Sequence, residues 1–309
     1  MREFENMEPS FDELATKNVN SKSIHWFPGH MMKTLRLMEK EIKDVDVVIN
    51  LLDARIPYSS QNPEINAIIK NKPTVYVLNK SDLADADITN QWINHFRKKG
   101  MGAIAINSKT GKNTKTVMNQ IETELKDLLE RRQAKGIEGV KIRAMMVGIP
   151  NVGKSTFINS LAGTQRAKAA DKPGVTRGKQ WVTVGNFELL DMPGVLWRKF
   201  ENQHIAANLA FIGSIKDDIL DIESLAMSLI EELKKVYPDL LIERYKLTQE
   251  DIENDNYNIL RKIARKRGML LPGNEENTER AAIMLCDEFR ASKLGRITLE
   301  KPGDYEQLI

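Results

Sequence analysis

The order of three short motifs constrains the fold of this chain more than any other feature. An N-K-S-D segment at 79–82 comes first, a G-x-x-x-x-G-K-S segment at 148–155 follows, and a D-M-P-G segment at 191–194 comes last. The middle segment has the spacing of a phosphate-binding loop. Domains that combine such a loop with an N-K-x-D base reader ordinarily begin with the loop and carry the reader near their end. The rotated order predicts a circular permutation of that domain, with all three segments still meeting around one nucleotide.

The phosphate-binding loop lies between an apolar strand pattern at 144–147 and a helical pattern at 154–161. Its two glycines permit the backbone to curl so that successive N–H groups point at phosphate oxygens, and the helix adds its positive N-terminal end. Lys154 is expected to reach the β- and γ-phosphates, and Ser155 to ligate Mg²⁺. A chance match in a surface loop is the alternative, which the flanking strand and helix disfavour. The candidate nucleotide contacts are Pro150, Asn151, Val152, Gly153, Lys154, Ser155 and Thr156.

The D-M-P-G segment suits the magnesium side of such a site, although D-x-P-G alone is also ordinary turn chemistry. Asp191 ends an apolar strand pattern, where its carboxylate can face Mg²⁺, and Gly194 can swing its N–H toward the γ-phosphate. A breaker-rich segment at 172–178 is where a mobile switch is expected. Thr176 is its candidate Mg²⁺ ligand, and a solvated loop threonine is the alternative. The predicted magnesium residues are therefore Ser155, Thr176 and Asp191.

The N-K-S-D segment follows an apolar strand pattern and is the candidate base reader. The Asp82 carboxylate can accept hydrogen bonds from the N1–H and the exocyclic amine of guanine, which adenine cannot offer. A site built this way rejects the wrong base strongly, because its own polar groups would be left unpaired. Lys80 is expected to lie over the base, and Asn79 to tie the loop back.

A second loop supports the guanine assignment. Ser108 and Lys109 follow a short strand pattern at 103–106. They are similar to an S-A-K loop whose backbone N–H meets the guanine oxygen. The pair supports GTP and GDP as ligands without being able to establish them alone.

Together these segments resemble the circularly permuted GTPases of ribosome assembly. Further shared features are H-W-F-P-G-H-M at 25–31, D-A-R at 53–55 and G-S-I-K-D at 213–217. The likeness covers about residues 22 to 309. The D-M-P-G segment carries Met192 where threonine is more usual, and Asn107 replaces a loop serine. The D-A-R segment is open to three interpretations: it organises the nucleotide loops, contacts the ribosome, or forms a structural ion pair.

The resemblance implies an α/β fold in which a circularly permuted P-loop GTPase domain, with a mostly parallel sheet, precedes a small all-helical domain. We expect an acidic N-terminal extension at 1–21, the GTPase domain at 22–200 and a helical RNA-binding domain at 201–309. Apolar runs predict strands near 46–52, 74–78, 103–107, 141–147, 181–184 and 187–190. Helical patterns alternate largely with them near 31–44, 63–70, 88–99, 113–133 and 154–162, and continue at 205–212, 220–236, 249–267 and 278–293.

The hydrolytic residue does not follow from the nucleotide motifs. Val195 comes after Gly194, where a signalling GTPase carries the glutamine that orients water. The resemblance implies that the histidine of the P-G-H motif, His30, is catalytic and accepts a hydrogen bond from the attacking water. The alternative is that His30 caps or packs the helix that follows it.

Asn151 raises the question of a monovalent ion. The resemblance implies that an asparagine in the phosphate-binding loop accompanies potassium dependence, with its side-chain oxygen helping to hold K⁺ beside the phosphates. Asparagine also tolerates unusual backbone angles in loops, and this remains the alternative.

A basic stripe lies within the segment 256–267, which contains no acidic residue. The complementary face is apolar, so the segment predicts an amphipathic helix that binds RNA phosphates, although a run of charge is more often a solvated face. The resemblance favours RNA. The candidate RNA contacts are Arg261, Lys262, Arg265, Lys266 and Arg267.

Composition favours a cytoplasmic protein. The 309 residues are 41% apolar and 29% charged, enough for two domains, and a single cysteine leaves no internal disulfide framework. No apolar run approaches the roughly 18 residues of a membrane span, so no membrane partner is expected. The net charge of +3 is too small to show nucleic-acid binding by itself.

Two functions are compatible with these residues. The preferred one is a monomeric GTPase, slow alone and stimulated by its partner, that binds the immature large ribosomal subunit and its rRNA. GTP hydrolysis would time a late assembly step and the protein's own release. The alternative is a GTP-gated rRNA-binding scaffold in which hydrolysis is incidental. A third function, that of a metabolic P-loop kinase, would leave the N-K-S-D segment unexplained.

Overall fold

The structure is a computed structural model that describes residues 27–137, 139–162, 180–200 and 202–305. The predicted acidic extension at 1–21 and the predicted magnesium ligand Thr176 lie outside the described residues. None of the helices in the described ranges is both long and apolar enough to cross a membrane.

Within the described ranges, six strands form one sheet in the order β3-β2-β1-β4-β6-β5. All neighbouring strands are parallel except β5, which runs antiparallel to β6. This confirms the predicted mostly parallel sheet and its six strands. β1 is buried along its whole length, as its continuous apolar sequence indicates for a strand covered on both faces. The strands are β1 (Val47–Asp53), β2 (Thr74–Asn79), β3 (Gly102–Ala105), β4 (Ile142–Gly148), β5 (Gln180–Val184) and β6 (Phe187–Asp191).

Helices connect the strands and continue beyond the sheet. Those that accompany the sheet are α1 (Gly29–Glu41), α2 (Pro63–Ile69), α3 (Ala86–Lys98), α4 (Thr114–Glu124), α5 (Lys126–Ala134) and α6 (Lys154–Ala162). Those that follow it are α7 (Gln203–Phe211), α8 (Ile222–Val236), α9 (Pro238–Tyr245), α10 (Gln249–Ile252), α11 (Asn256–Lys266) and α12 (Thr278–Arg290). The predicted helical region after the sheet is therefore present.

Three helix boundaries differ from the sequence prediction. The single helix expected at 113–133 is interrupted at Leu125, whose φ of −99° and ψ of 9° are not helical. The helix expected at 249–267 is also two helices, because Asp255 accepts a hydrogen bond from the Asn258 N–H and starts a new N-terminus. A helix that the sequence prediction lacks, α9, follows the one predicted at 220–236, and Pro238 opens it because proline fits the first turn of a helix.

The carboxyl ends of the parallel strands meet at one edge of the sheet. The predicted nucleotide motifs follow the ends of β2, β3, β4 and β6, and the D-A-R segment follows β1. This edge is where open α/β sheets bind their ligands.

The last described residues return to the first region. The Ile297 N–H donates to the Leu83 carbonyl (3.1 Å), the Leu299 N–H donates to the Arg55 carbonyl (2.9 Å), and Trp92 Nε1 donates to the Glu300 carbonyl (2.8 Å). One hydrophobic core includes residues of the sheet and of the helices that follow it. The segment that contains Ile297 and Leu299 belongs to the domain predicted to begin at 201, but it packs against the preceding domain, beside the N-K-S-D loop.

Candidate nucleotide-binding site

Backbone geometry shapes the phosphate-binding loop. Gly148 has φ +147°, and a Cβ there would lie 2.5 Å from the Leu51 carbonyl oxygen. Gly153 has φ +100°, and a Cβ there would lie 2.4 Å from the Asn79 side-chain nitrogen. Asn151 adopts the left-handed region with φ 58°, which asparagine tolerates. Both glycines are therefore required, and the loop can approach a phosphate group closely.

Lys154 occupies the centre of this loop. Its Nζ donates to the Gly148 carbonyl (3.2 Å) and to the Ile149 carbonyl (3.0 Å). Burial lowers the pKa of Lys154 to about 8, although the Asp191 charge acts in the opposite direction. A buried ammonium held by two neutral carbonyls is well placed to pair with phosphate oxygens, because those anions supply the negative counter-charge that the carbonyls do not.

The magnesium side brings Asp191 and Ser155 together. Asp191 is buried, and the Ser155 hydroxyl lies 3.4 Å from its Oδ2. The Asp191 Oδ1 atom is buried and has no hydrogen-bond partner within the described ranges. Burial raises the pKa of Asp191, while Lys154 and Ser155 oppose the rise. A buried carboxylate oxygen beside a hydroxyl fits the oxygen-rich environment that Mg²⁺ prefers, so these residues can accommodate a magnesium nucleotide.

The lowered pKa of Lys154 predicts a pH dependence of nucleotide affinity. Below pH 8 the lysine is already charged, and above pH 8 it must take up a proton when phosphate binds. We therefore expect GDP affinity to fall by up to about tenfold for each pH unit above 8. Isothermal titration at constant ionic strength measures this. Lys154→Arg is the control, because arginine does not titrate in this range; equal slopes for the two proteins would contradict the prediction.

Asn79, predicted to tie its loop back, bonds to two neighbouring loops of the site. Its Nδ2 donates to the Val152 carbonyl in the phosphate-binding loop (2.8 Å). Its Oδ1 accepts from the Ser108 N–H (3.1 Å) and from the Ser108 hydroxyl (2.8 Å). Asn79 is buried, so one side chain fixes the relative positions of the base-reading loop, the phosphate loop and the loop after β3.

The remaining guanine-side residues lie around Asn79. Asp82 is exposed, and the Lys80 ammonium lies 3.1 Å from Asp53 Oδ2. The Lys109 N–H donates to the Asn107 side chain (2.9 Å). The Ser108 and Lys109 N–H groups thus bond to side-chain oxygens, and their contact with a guanine oxygen stays a prediction.

Gly194 brings the D-M-P-G segment into contact with the phosphate-binding loop. A Cβ at Gly194 would lie 2.6 Å from the Pro150 backbone, so this close approach requires glycine. The following Val195 is fully buried, and its carbonyl accepts from the Asn62 side chain (2.9 Å). Sequence reasoning missed Asn62, because it lies in no recognisable motif.

Helix α1 begins beside the chain that follows the D-M-P-G segment. The Met31 sulfur lies 3.4 Å from the Leu196 N–H, so the start of α1 packs directly beside the chain that follows Gly194. His30 is exposed, and its carbonyl accepts from the Thr34 hydroxyl (3.1 Å), whereas its imidazole has no hydrogen bond among the described residues. The imidazole thus has no capping role within the described ranges. Its catalytic role remains a prediction.

The phosphate-binding loop is also held from the helical region. The Asn151 Nδ2 donates to the Gly213 carbonyl (2.8 Å), and the buried Ser214 hydroxyl donates to the Pro150 carbonyl (2.8 Å). Arg290 fixes this turn by an ion pair with Asp217. The G-S-I-K-D segment at 213–217 therefore holds the phosphate-binding loop by hydrogen bonds from the helical region. Its sequence alone does not indicate this role.

Comparison with known proteins identifies the family. The chain is 44% identical to ribosome biogenesis GTPase A from Bacillus cereus, over 93% of this chain and 96% of that protein. The chain belongs to the ribosome biogenesis GTPase A family. The Priestia megaterium protein of the same name is 42% identical, over 92% of this chain and 99% of that protein. A family model described as 50S ribosome-binding GTPase matches residues 143–260.

Two solved structures share the fold of this chain. GDP-bound TM YlqF gives a TM-score of 0.63 at 26% identity, covering 87% of this chain and 100% of that one. GNP-bound YlqF from T. maritima gives a TM-score of 0.61 at 26% identity, covering 87% and 98%. Membership of the family makes this chain a P-loop GTPase that binds GTP and GDP with Mg²⁺, in agreement with the geometry around Lys154 and Asp191.

The predicted RNA stripe lies on α11, and its charges are largely balanced. Arg261 and Arg265 both form ion pairs with Glu276, and Lys262 pairs with Asp251. The Arg265 hydrogen bond lowers the pKa of Glu276 to about 2, so this acid is charged at neutral pH. The stripe has no acid in its own segment, as the sequence shows, but neighbouring segments supply the counter-charges.

The other two members of the stripe, Arg267 and Lys266, do not share these partners, and Arg267 lies 3.9 Å from a different acid, Glu288. Arg267 donates to the Arg244 carbonyl (3.1 Å) and lies over the Tyr245 ring, 5.2 Å from its centroid. Lys266 is exposed, and the described part of the chain gives it no ion pair. The five cations thus share one surface but are not equally available.

Proposed function

We propose that this chain is a GTPase that binds the immature large ribosomal subunit and its rRNA in the cytoplasm. GTP hydrolysis times a late step of large-subunit assembly and releases the protein. The observation that carries this proposal is the double contact on Pro150, which Gly194 approaches from the sheet region and Ser214 holds from the helical region. A change in the phosphate-binding loop therefore acts on the helical region directly, and this supports nucleotide-dependent binding of a large partner.

The residues of the site divide the reaction between them. Lys154 binds phosphate oxygens, and Ser155 and Asp191 face the metal. Bound Mg²⁺ neutralises charge that develops on the phosphate oxygens during transfer. His30 accepts a hydrogen bond from the attacking water, since Val195 cannot and the start of α1 packs beside Leu196. Intrinsic turnover is slow because His30 is exposed before the ribosome binds. Contact with the ribosome moves the histidine to the attacking water.

Potassium is a further part of the proposal. Because Asn151 Nδ2 donates to the Gly213 carbonyl, its rotamer is fixed and its Oδ1 has a defined direction beside the phosphate-binding loop. A monovalent cation at this oxygen would supply charge that other GTPases obtain from an arginine. Thr176 is proposed as the additional Mg²⁺ ligand on the basis of its sequence position alone.

Co-sedimentation with large ribosomal subunits tests the proposed function. We expect binding to be tighter with a non-hydrolysable GTP analogue than with GDP, by about 5- to 150-fold, the range of typical coupling between two sites. Small subunits are the control. Equal binding in the two nucleotide states would contradict nucleotide-timed release.

The ion pairs on α11 predict the effects of two substitutions in the same assay. Lys266→Ala is expected to weaken subunit binding and to reduce the slope of log affinity against log salt by about one, because one phosphate contact is lost. Glu276→Gln is expected to strengthen binding, since it frees Arg261 and Arg265. Lys126→Ala is the control, because Lys126 is a highly exposed lysine on α5. A weakening by Glu276→Gln would show that this surface does not meet RNA.

A further inference from the structure

The D-A-R segment forms a buried ion pair at the carboxyl end of β1. Asp53 is fully buried, and Arg55 is 2% exposed. The Arg55 Nε and Nη2 atoms donate to the two Asp53 oxygens at 2.9 and 2.8 Å. These side chains have no access to a ribosomal partner. The pair alone would be a structural feature of the core.

A third charge joins this pair from the nucleotide side. The Lys80 ammonium lies 3.1 Å from Asp53 Oδ2, while 24% of the lysine side chain remains exposed. Burial would raise the pKa of Asp53, but the charges of Arg55 and Lys80 outweigh it and hold this pKa well below its usual range. Asp53 is therefore a permanent anion, and Arg55 already provides its full bidentate partner.

The backbone directs Lys80 toward Asp53. Asp53 pairs with Asn79 in the register of β1 and β2, and the Ala54 N–H donates to the Asn79 carbonyl (2.9 Å). Lys80 itself has φ 58°, in the left-handed region. A non-glycine residue in this conformation is uncommon and is maintained by its surroundings. The backbone of Lys80 and its ammonium group are thus both held in place.

We propose that Asp53 is a positioning residue for guanine nucleotides: it anchors the Lys80 ammonium so that the lysine stem is preorganised as one wall of the base site. Asp53 does not touch the nucleotide. The anchored lysine loses its rotamer freedom before the ligand arrives, and binding does not have to order it. This inference rests on guanine-nucleotide binding at the proposed site.

The anchor is itself held by the helical region. The Arg55 Nη1 donates to the Arg290 carbonyl at the end of α12 (3.3 Å), and the Arg55 carbonyl accepts from the Leu299 N–H (2.9 Å). The position of Asp53, and with it that of Lys80, therefore depends on contacts with residues more than 200 positions later in the chain.

A double-mutant cycle on GDP affinity tests this role. The variants are Asp53→Asn, Lys80→Met and the pair, each titrated with GDP by calorimetry and checked by thermal unfolding. Methionine keeps most of the lysine stem and removes the ammonium. We expect Asp53→Asn to weaken GDP binding about tenfold when Lys80 is present and less than twofold in the Lys80→Met background, as coupled neighbours behave.

A purely structural role gives a different result. Asp53→Asn would then lower the melting temperature equally in both backgrounds, with the same change in GDP affinity in each, which would overturn the proposal. If Asp53→Asn does not fold because Arg55 is left as a buried unpaired charge, the cycle is run with Asp53→Asn combined with Arg55→Met. Wild-type protein that fails to bind GDP would refute the nucleotide site itself, whereas wild-type binding without coupling refutes only the role of Asp53.

Discussion

Asp82→Asn is expected to abolish the preference for guanine and to create one for xanthine. The carboxylate accepts from the guanine N1–H and exocyclic amine, whereas an amide can accept only one of these and leaves its own N–H facing the amine. Xanthine carries a carbonyl in place of that amine, so the amide pairs with it. We expect GTP affinity to fall by about 10⁴-fold, the scale on which a site that reads polar groups rejects a mismatched ligand.

Competition titrations with GTP, XTP and ATP measure this specificity. Asp87→Asn is the matched control: Asp87 is an exposed acid at the start of α3, and its loss removes the same charge a few residues away. Its GTP affinity is expected to stay within about threefold of wild type, as for surface substitutions. An Asp82→Asn variant that binds GTP as tightly as the control would show that the N-K-S-D loop does not read the base.

His30→Ala is expected to lower ribosome-stimulated GTP turnover by about 10²- to 10⁴-fold, the usual contribution of a positioned acid or base. GDP and GTP affinities should change less than twofold, because the exposed imidazole makes no side-chain hydrogen bond within the described ranges that holds the site together. Single-turnover assays at saturating GTP separate the chemical step from binding.

Lys33→Ala provides the control for helix α1. Lys33 is exposed one turn after His30, so its removal tests whether any change on the helix surface disturbs turnover. Its stimulated rate should match wild type. An undiminished stimulated rate for His30→Ala would favour the scaffold function, or a water-orienting group supplied by the ribosome.

The features predictable from the sequence are those encoded by neighbouring residues. All six strands and the phosphate-binding loop follow from local apolar runs and glycine spacing, and the permutation follows from motif order. The sequence also predicts that Asn79 ties its loop back, since asparagine belongs to the N-K-x-D pattern, but the partners Val152 and Ser108 come from the structure. The sequence prediction missed the helix breaks at Leu125 and near Asp255, because the apolar periodicity of the sequence continues across them although the helical backbone conformation is interrupted.

The features that sequence could not supply are contacts between distant residues. Ser214 holds Pro150 from 64 positions away, and Asn62 holds Val195 from 133 positions away. The basic stripe is the opposite case, since its residues were identified but its counter-ion Glu276 lies in another segment. The sequence identifies the chemistry of each side chain, whereas the fold determines which charged side chains lie next to one another.

The decisive measurement is GTP turnover with and without purified large ribosomal subunits, in potassium and in sodium buffer. We expect an intrinsic rate of roughly 10⁻⁴ to 10⁻² per second, as for GTPases without their activators, and stimulation by several powers of ten on the subunit. A faster reaction in potassium would support Asn151 as an ion ligand. Tight GTP binding with turnover that the subunit leaves unchanged would contradict a ribosome-coupled GTPase.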